Sequence, residues 1–258
     1  MRAYCQRCRR PCSVCLCDSV VPGLSICGRV VVIQHPNEAK KKLATVPLLQ
    51  LSLRSVSVFR CRRTPHTQIA HIIEEAKRPV NPVPLVIIYL APGARPLEDV
   101  VNEWKSIAQD DDEGDAHGDG HGEIKPRYTL LVLDGTWNEV REMWNKGMHV
   151  LGEPHGVGKL AYLPLDDDVE RKDAVRYKLR VEPQEGCMST LECIARALGV
   201  IEGDNGLTLA LLRPLARLIE LQKQFSPSLQ DRAQNGDYIR RTHNSRAQRP
   251  CHDEGDGG

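Results

Sequence analysis

Two groups of residues in this chain have the types and the spacing to do chemistry. The first is CQRCRRPCSVCLC at residues 5–17, which holds five of the ten cysteines. Cys5-x2-Cys8 and Cys15-x-Cys17 form two close pairs six residues apart, a spacing that suits tetrahedral thiolate coordination of zinc in a short knuckle. So short a loop folds only around its metal, which makes binding and local folding one event. Paired spacing favours Cys5, Cys8, Cys15 and Cys17 as ligands and leaves Cys12 spare. Four thiolates leave no open coordination position, so the expected role of the ion is structural.

The second group is DGTW at residues 134–137. An apolar run ends in Asp134 and an amphipathic helical pattern begins at once. In α/β folds the carboxyl end of a strand meeting a helix amino end is where ligands bind. Thr136-x-x-Glu139 and Ser189-x-x-Glu192 both fit a capping box, hydroxyl to backbone N–H and carboxylate back to the cap. That explains those four residues structurally. Gly135 is read as turning the chain. Trp137 is either a stacking platform or, with Val140 and Trp144, part of a core. Asp134 has no structural explanation in the sequence and is the leading candidate for chemistry.

The elements that must position these groups alternate along the chain. Strand patterns fall at 29–34, 56–61, 83–90, the run ending at Asp134, and 159–165. Helical patterns follow at 43–53 (kinked or restarted by Pro47), 96–108, 137–144, 189–197 and 207–225. Trp104, among apolar residues at helical spacing, is read as core. Alternation of this kind predicts an α/β fold with a mostly parallel sheet. The first strand ends in the polar turn Gln34-His35-Pro36-Asn37-Glu38, from which His35 and Glu38 can reach a ligand. A simple turn capped by Asn37 accounts for it as well.

A formal charge of +1 conceals an asymmetry, because seven carboxylates sit in QDDDEGDAHGDGHGE at 109–123 and leave the remainder near +8. Basic clusters at Arg7-Arg9-Arg10, Arg60-Arg62-Arg63 and Arg240-Arg241 suit either a polyanion or plain solvation. The insert, with His117 and His121, reads as a flexible solvated loop. The expected organisation is a zinc knuckle at 1–22, a catalytic domain at 23–228 and a basic, disordered tail at 229–258. No apolar leader opens the sequence and no run approaches the roughly 20 apolar residues of a membrane span. The expectation is a soluble protein of a reducing compartment, cytoplasmic or nuclear. A phosphate loop, a GxGxxG turn, a GxSxG elbow and HExxH are all absent, which leaves nucleotide kinases, Rossmann dehydrogenases and serine hydrolases without support.

Four separated blocks carry a resemblance: CxxC-x6-CxC at 5–17, QHPxE at 34–38, LDGTW at 133–137, and YKLR followed by STLE within 177–192. In this order the chain resembles the DTW-domain family of tRNA-uridine aminocarboxypropyltransferases over roughly residues 4–225. The acidic insert and Cys12 depart from the family pattern. The resemblance implies a SPOUT-like fold with a C-terminal trefoil knot, and S-adenosylmethionine as donor of its 3-amino-3-carboxypropyl group to N3 of a uridine in tRNA. It implies Asp134, Thr136 and Trp137 as catalytic residues, with Asp134 either accepting the N3 proton or binding the donor. By family position Gly135, Leu179, Arg180, Gly186, Ser189, Thr190 and Glu192 line the donor pocket, Arg180 as a bidentate partner for the donor carboxylate. Arg7, Arg9, Arg10, His35, Arg60, Arg62 and Arg63 fall to the RNA, through phosphate contacts that add affinity without selecting the uridine. No obligatory protein partner and no membrane are expected. The alternatives are an RNA methyltransferase of the same fold and a non-catalytic zinc-knuckle RNA-binding protein.

Overall fold

The computed structural model describes residues 3–41, 43–63, 66–110, 126–152, 156–164 and 188–225. Within them one six-stranded sheet runs in the order β2-β1-β5-β3-β6-β4, every pairing parallel. The strands are β1 (Arg29–Gln34), β2 (Val56–Arg60), β3 (Leu85–Ile88), β4 (Arg95–Pro96), β5 (Thr129–Asp134) and β6 (Gly158–Tyr162). β1 and β5 are neighbouring interior strands, and between their polar ends they are β-branched or Leu-rich, as strands buried on both faces must be.

Side-chain alternation divides the core in two. Val30, Val32, Leu130, Val132 and Val86 face one layer, made of α1 (Val46–Ser52), α3 (Leu97–Asp110), α5 (Thr190–Glu202) and α6 (Asn205–Phe225). Val31, Ile33, Leu131, Leu133 and Ile87 face the other, with α2 (His66–Ala76) and α4 (Trp137–Asn145). The distribution of helices follows from handedness. Crossovers toward the β2 edge use the first layer and crossovers away from it use the second, so that each is right-handed.

Several expectations shift in detail. Of the two roles expected for Pro47, restarting the helix is the one observed, since α1 begins at Val46. Pro47 occupies the first turn of α1, where its missing N–H costs nothing. α5 runs five residues past the expected end to Glu202 and stops at Gly203, whose φ of +68° suits glycine. β4 and α2 were not anticipated, although Ile69 and Ile72 give α2 a legible apolar face. The insert at 109–123 (apart from the end of α3), the tail beyond 225 and the segment 165–187 lie outside the described residues.

Two contacts fix α5 against the amino edge of the sheet. The buried Tyr128 hydroxyl donates to Glu202, which also accepts from Cys27 N at 2.9 Å. Burial, and then the Glu202 carboxylate, push the Tyr128 phenol well up, so it stays a donor. Its ring lies edge-on to Trp104, centroids 5.4 Å apart, which places Trp104 in the core as its spacing suggests. A Cβ on Gly28 would come within 2.6 Å of that immobile ring. Gly28→Ala is therefore expected to destabilise the protein by about 1–3 kcal/mol, read as a lower urea midpoint.

Candidate functional site

The carboxyl edge of the sheet gathers buried polar residues to an unusual degree. Of ten buried polar or charged side chains among the described residues, Gln34, His35, Glu38, Thr45, Asp134, Ser189 and Glu192 all lie there. β1 and β5 end side by side, with Gln34 in register with Asp134. Gln34 Nε2 donates to Asp134 Oδ2 at 2.7 Å, and the hydroxyl of Thr190 donates to Asp134 Oδ1. Thr190 is the first residue of α5, so the carboxylate also faces the positive end of that helix. Asp134, which has no structural explanation in the sequence, acquires one: it joins β1, β5 and α5.

Main-chain bonds stitch the neighbouring loops to this point. His35 N donates to the Asp134 carbonyl at 2.7 Å, and Cys61 N donates to the Gln34 carbonyl at 3.1 Å. Leu191 N reaches Thr45 Oγ1 at 3.4 Å, tying the start of α5 to the start of α1. Glu38 is buried and paired with Lys41. Arg60 at the end of β2, and Arg62 and Arg63 just after it, are exposed and so flank the same edge.

Beyond Asp134 the capping box forms in full at α4. Thr136 N and Oγ1 each donate to Glu139 Oε2 at 2.8 Å, and Glu139 N donates back to Thr136 Oγ1. Asn37 Nδ2 adds a bond to Glu139 Oε1 at 3.1 Å, and His35 Nδ1 lies 3.1 Å from the same oxygen. Burial raises the Glu139 carboxyl, but the Thr136 and Asn37 hydrogen bonds and the nearby His35 outweigh it and hold it below its usual range. At α5, Ser189 Oγ accepts from Glu192 N at 3.2 Å, while the buried Glu192 carboxylate pairs with Arg196. Gly135 stands in the bend between β5 and α4, as expected, without a positive φ. A Cβ there would meet Glu139, His35 and Val140 at 3.2–3.4 Å, so a side chain would have to push its neighbours back by a few tenths of an ångström. Trp137 is 38% exposed and belongs to no core; it is Trp144 that packs, on Tyr89, with centroids 4.4 Å apart.

At the amino terminus the sulfurs of Cys5, Cys8, Cys15 and Cys17 lie within 4.8 Å of one another, and Cys12 is exposed outside that group. The Cys5–Cys17 and Cys8–Cys15 separations are 3.6 and 3.7 Å. A tetrahedral zinc about 2.3 Å from each sulfur sets them about 3.8 Å apart, so the cluster fits a metal ion. The knuckle rests on the helical layer: Leu16 is fully buried there and Cys17–Ser19 meets α6. Arg7 and Arg9 are exposed on it and are not among the residues gathered around Asp134. Leu179, Arg180 and Gly186 lie outside the described residues. Gln34, noted only as part of the QHPxE turn, and Thr45, not noted at all, join the site as well. The polar end of an apolar strand was a signal for Gln34, and nothing local marked Thr45.

The sequence matches the DTW domain family over residues 2–223. It is 29% identical over 230 residues to tRNA-uridine aminocarboxypropyltransferase 2 of Drosophila melanogaster, covering 86% of this chain and 75% of that protein. It is 30% identical over 239 residues to tRNA-uridine aminocarboxypropyltransferase A of Arabidopsis thaliana, covering 90% and 85%. The Mus musculus tRNA-uridine aminocarboxypropyltransferase 2 is 28% identical over 236 residues, covering 88% of this chain and 66% of that protein. No solved structure gives a significant match.

Elemental analysis of the purified protein should find one zinc per chain. Cys5→Ser and Cys17→Ser are each expected to lose it and Cys12→Ser to keep it; equal loss in the Cys12 variant would put the wrong four thiols around the metal. Thr136→Ala should cost about 1 kcal/mol through the lost cap, and Thr136→Ser, measured by urea unfolding, should restore most of it.

Proposed function

This chain belongs to the DTW-domain family, and from that membership we propose that it is a tRNA-uridine aminocarboxypropyltransferase. It transfers the 3-amino-3-carboxypropyl group of S-adenosylmethionine to N3 of a uridine in tRNA and releases methylthioadenosine. The observation that carries this reading is the match over nearly the whole chain to relatives bearing that name. The buried polar cluster at the carboxyl edge supports it, because it places hydrogen-bonding groups where a parallel sheet binds ligands.

The chemistry asks for positioning above all. A sulfonium needs no further activation as a leaving group, so the protein must choose which of its three carbons faces the nucleophile. Orientation of that kind is worth about 7–11 kcal/mol, and removal of the uridine proton by a base about 10²–10⁴-fold. Asp134, fixed between Gln34 and Thr190, is suited to hold the donor's ammonium or ribose hydroxyls in one pose. Gly135, Ser189, Thr190 and Glu192 are assigned to the same pocket, and Leu179, Arg180 and Gly186 to the donor by family position alone. Trp137, exposed beside the edge, is suited to stack on a base. Arg60, Arg62 and Arg63 supply phosphate contacts next to it, and Arg7, Arg9 and Arg10 a second basic surface on the knuckle. The metal in that knuckle is a structural zinc, with no part in the reaction. We take the fold to be SPOUT-like with a carboxyl-terminal knot, consistent with the parallel sheet and with α5 and α6 returning across one face. No helix among the described residues is long and apolar enough to cross a membrane.

Mass spectrometry of nucleosides from tRNA incubated with the protein and S-adenosylmethionine tests the reading. The expected product is an aminocarboxypropyl uridine, with methylthioadenosine accumulating beside it. A methylated nucleoside with S-adenosylhomocysteine would identify a methyltransferase instead, and bound but unmodified tRNA a binding protein. Asp134→Ala is expected to abolish transfer and to lower stability by about 1–3 kcal/mol, since it strands the buried donors of Gln34 and Thr190. Wild-type turnover in that variant would remove Asp134 from the site.

A further inference from the structure

The outward face of α4 carries no negative charge. At roughly 100° per residue, Trp137, Asn138, Arg141 and Asn145 fall within an arc of about 100°, and all four are exposed. That stripe holds an aromatic ring, a guanidinium and two amides. The carboxylates of the helix lie off the stripe and are already engaged. Glu139 is bound by Thr136 and Asn37, and Glu142 pairs with Lys146 at 2.5 Å. In the sequence Arg141 sits between Glu139 and Glu142 and reads as balanced charge; only the other partners of those two carboxylates leave it unopposed.

Arginines stand on both sides of this stripe. Arg62, after β2, faces Glu142: the Lys146 hydrogen bond and charge, and then the Arg62 charge, hold that carboxyl below its usual range. Arg141 faces the residue that follows β3: burial pushes the Tyr89 phenol up, and the Arg141 guanidinium opposes the rise. In the sheet order β2-β1-β5-β3, the two arginines bracket the end of β5, where Asp134 stands. Elsewhere Arg29, Arg95, Arg196 and Arg217 are each neutralised by a glutamate. Among the described residues, Arg60, Arg62, Arg63 and Arg141 have no ion-pair partner. Like charges gathered without partners cost stability and suit a polyanion.

We propose that the outward face of α4, with Arg62 on one side and Arg141 on the other, is the surface along which the tRNA strand lies, and that Arg141 binds one of its phosphates. This role rests on tRNA being the substrate, as proposed above. N3–H of a paired uridine is occupied by its partner base, so the reacting uridine is unpaired, and its flanking phosphates lie to either side of it. Single strands are held by cations that track the backbone, with aromatic faces and hydrogen-bonding groups meeting the bases. Arg62 and Arg141 are placed for the phosphates on the two sides of Asp134. Asn138 and Asn145 offer amides that both donate and accept, and Trp137 stands at the end of the stripe nearest Asp134. Arg60 and Arg63 extend the positive track toward the β2 edge.

The test is the affinity of the full chain for an unmodified tRNA transcript from about 50 to 200 mM salt, beside its affinity for S-adenosylmethionine by calorimetry. R141A should bind the tRNA about tenfold more weakly and lower the slope of log Kd against log salt by about one. R141K keeps the charge and should keep most of the slope. Donor affinity and the urea midpoint should match wild type in both, because the side chain is exposed. R213A is the control. Arg213 is exposed on α6, in the helical layer on the other face of the sheet, and its loss should leave tRNA affinity and slope unchanged. An R141A affinity and slope equal to wild type would overturn the assignment, as would an equal loss in R213A, which would mean diffuse charge alone. A fall in donor affinity with R141A would also overturn it and put the residue at the donor. Wild-type protein that binds tRNA in this pattern without modifying it would defeat the transferase reading and leave α4 as the RNA surface; wild type that binds no tRNA would sink both.

Discussion

A buried carboxylate is the constraint on which the rest of this structure depends. Removing Asp134 from water costs several kcal/mol unless donors replace the lost hydration. The donors come from residues 100 and 56 positions away in sequence, Gln34 and Thr190. They can reach it only when β1 and β5 pair in one register and α5 starts over the strand ends. A slip of one residue would turn Gln34 to the other face and leave the charge without its partner. The polar contact therefore specifies the geometry more than it adds stability.

The same logic explains how α5 is seated. Its amino end is fixed by Thr190 on Asp134 and its carboxyl end by Glu202 on Tyr128 and Cys27. Thirteen residues of helix rise about 20 Å, and six residues of strand also extend about 20 Å. One helix thus crosses the central strand from edge to edge with a polar anchor at each end and an apolar face between. Leu191, Ile194, Leu198 and Ile201 fill that face.

Much of the architecture was legible because it follows from local pattern. β1 and β5 are unbroken apolar runs, Thr136 and Ser189 mark helix starts, and the thiolate pairs converge while Cys12 stays outside. What was not legible depends on partners distant in sequence. No local rule distinguishes a catalytic Asp134 from one that clamps three elements, and nothing near Thr45 announces that it receives Leu191 N. Trp137 was undecidable because helical spacing fits both core and surface. Exposure decides it, with Trp144, two turns on along nearly the same face, taking the packed position on Tyr89. Gly135 does stand in the bend between β5 and α4, and only the neighbours of its missing Cβ show that the turn is also tightly packed.

The two polar networks at the carboxyl edge differ in what they hold together. Around Asp134 the donors are neutral and come from β1 and α5, so the carboxylate ties a strand pair to a helix start. Around Glu139 the partners are Thr136 at the cap of α4 and Asn37 on the turn after β1, with His35 Nδ1 3.1 Å away, so that carboxylate ties a helix start to a loop. Asp134 reaches toward α5 and Glu139 lies on α4, so each helical layer is fastened to the carboxyl edge by its own polar contact. The parallel register of β1 and β5 places the two fastenings side by side.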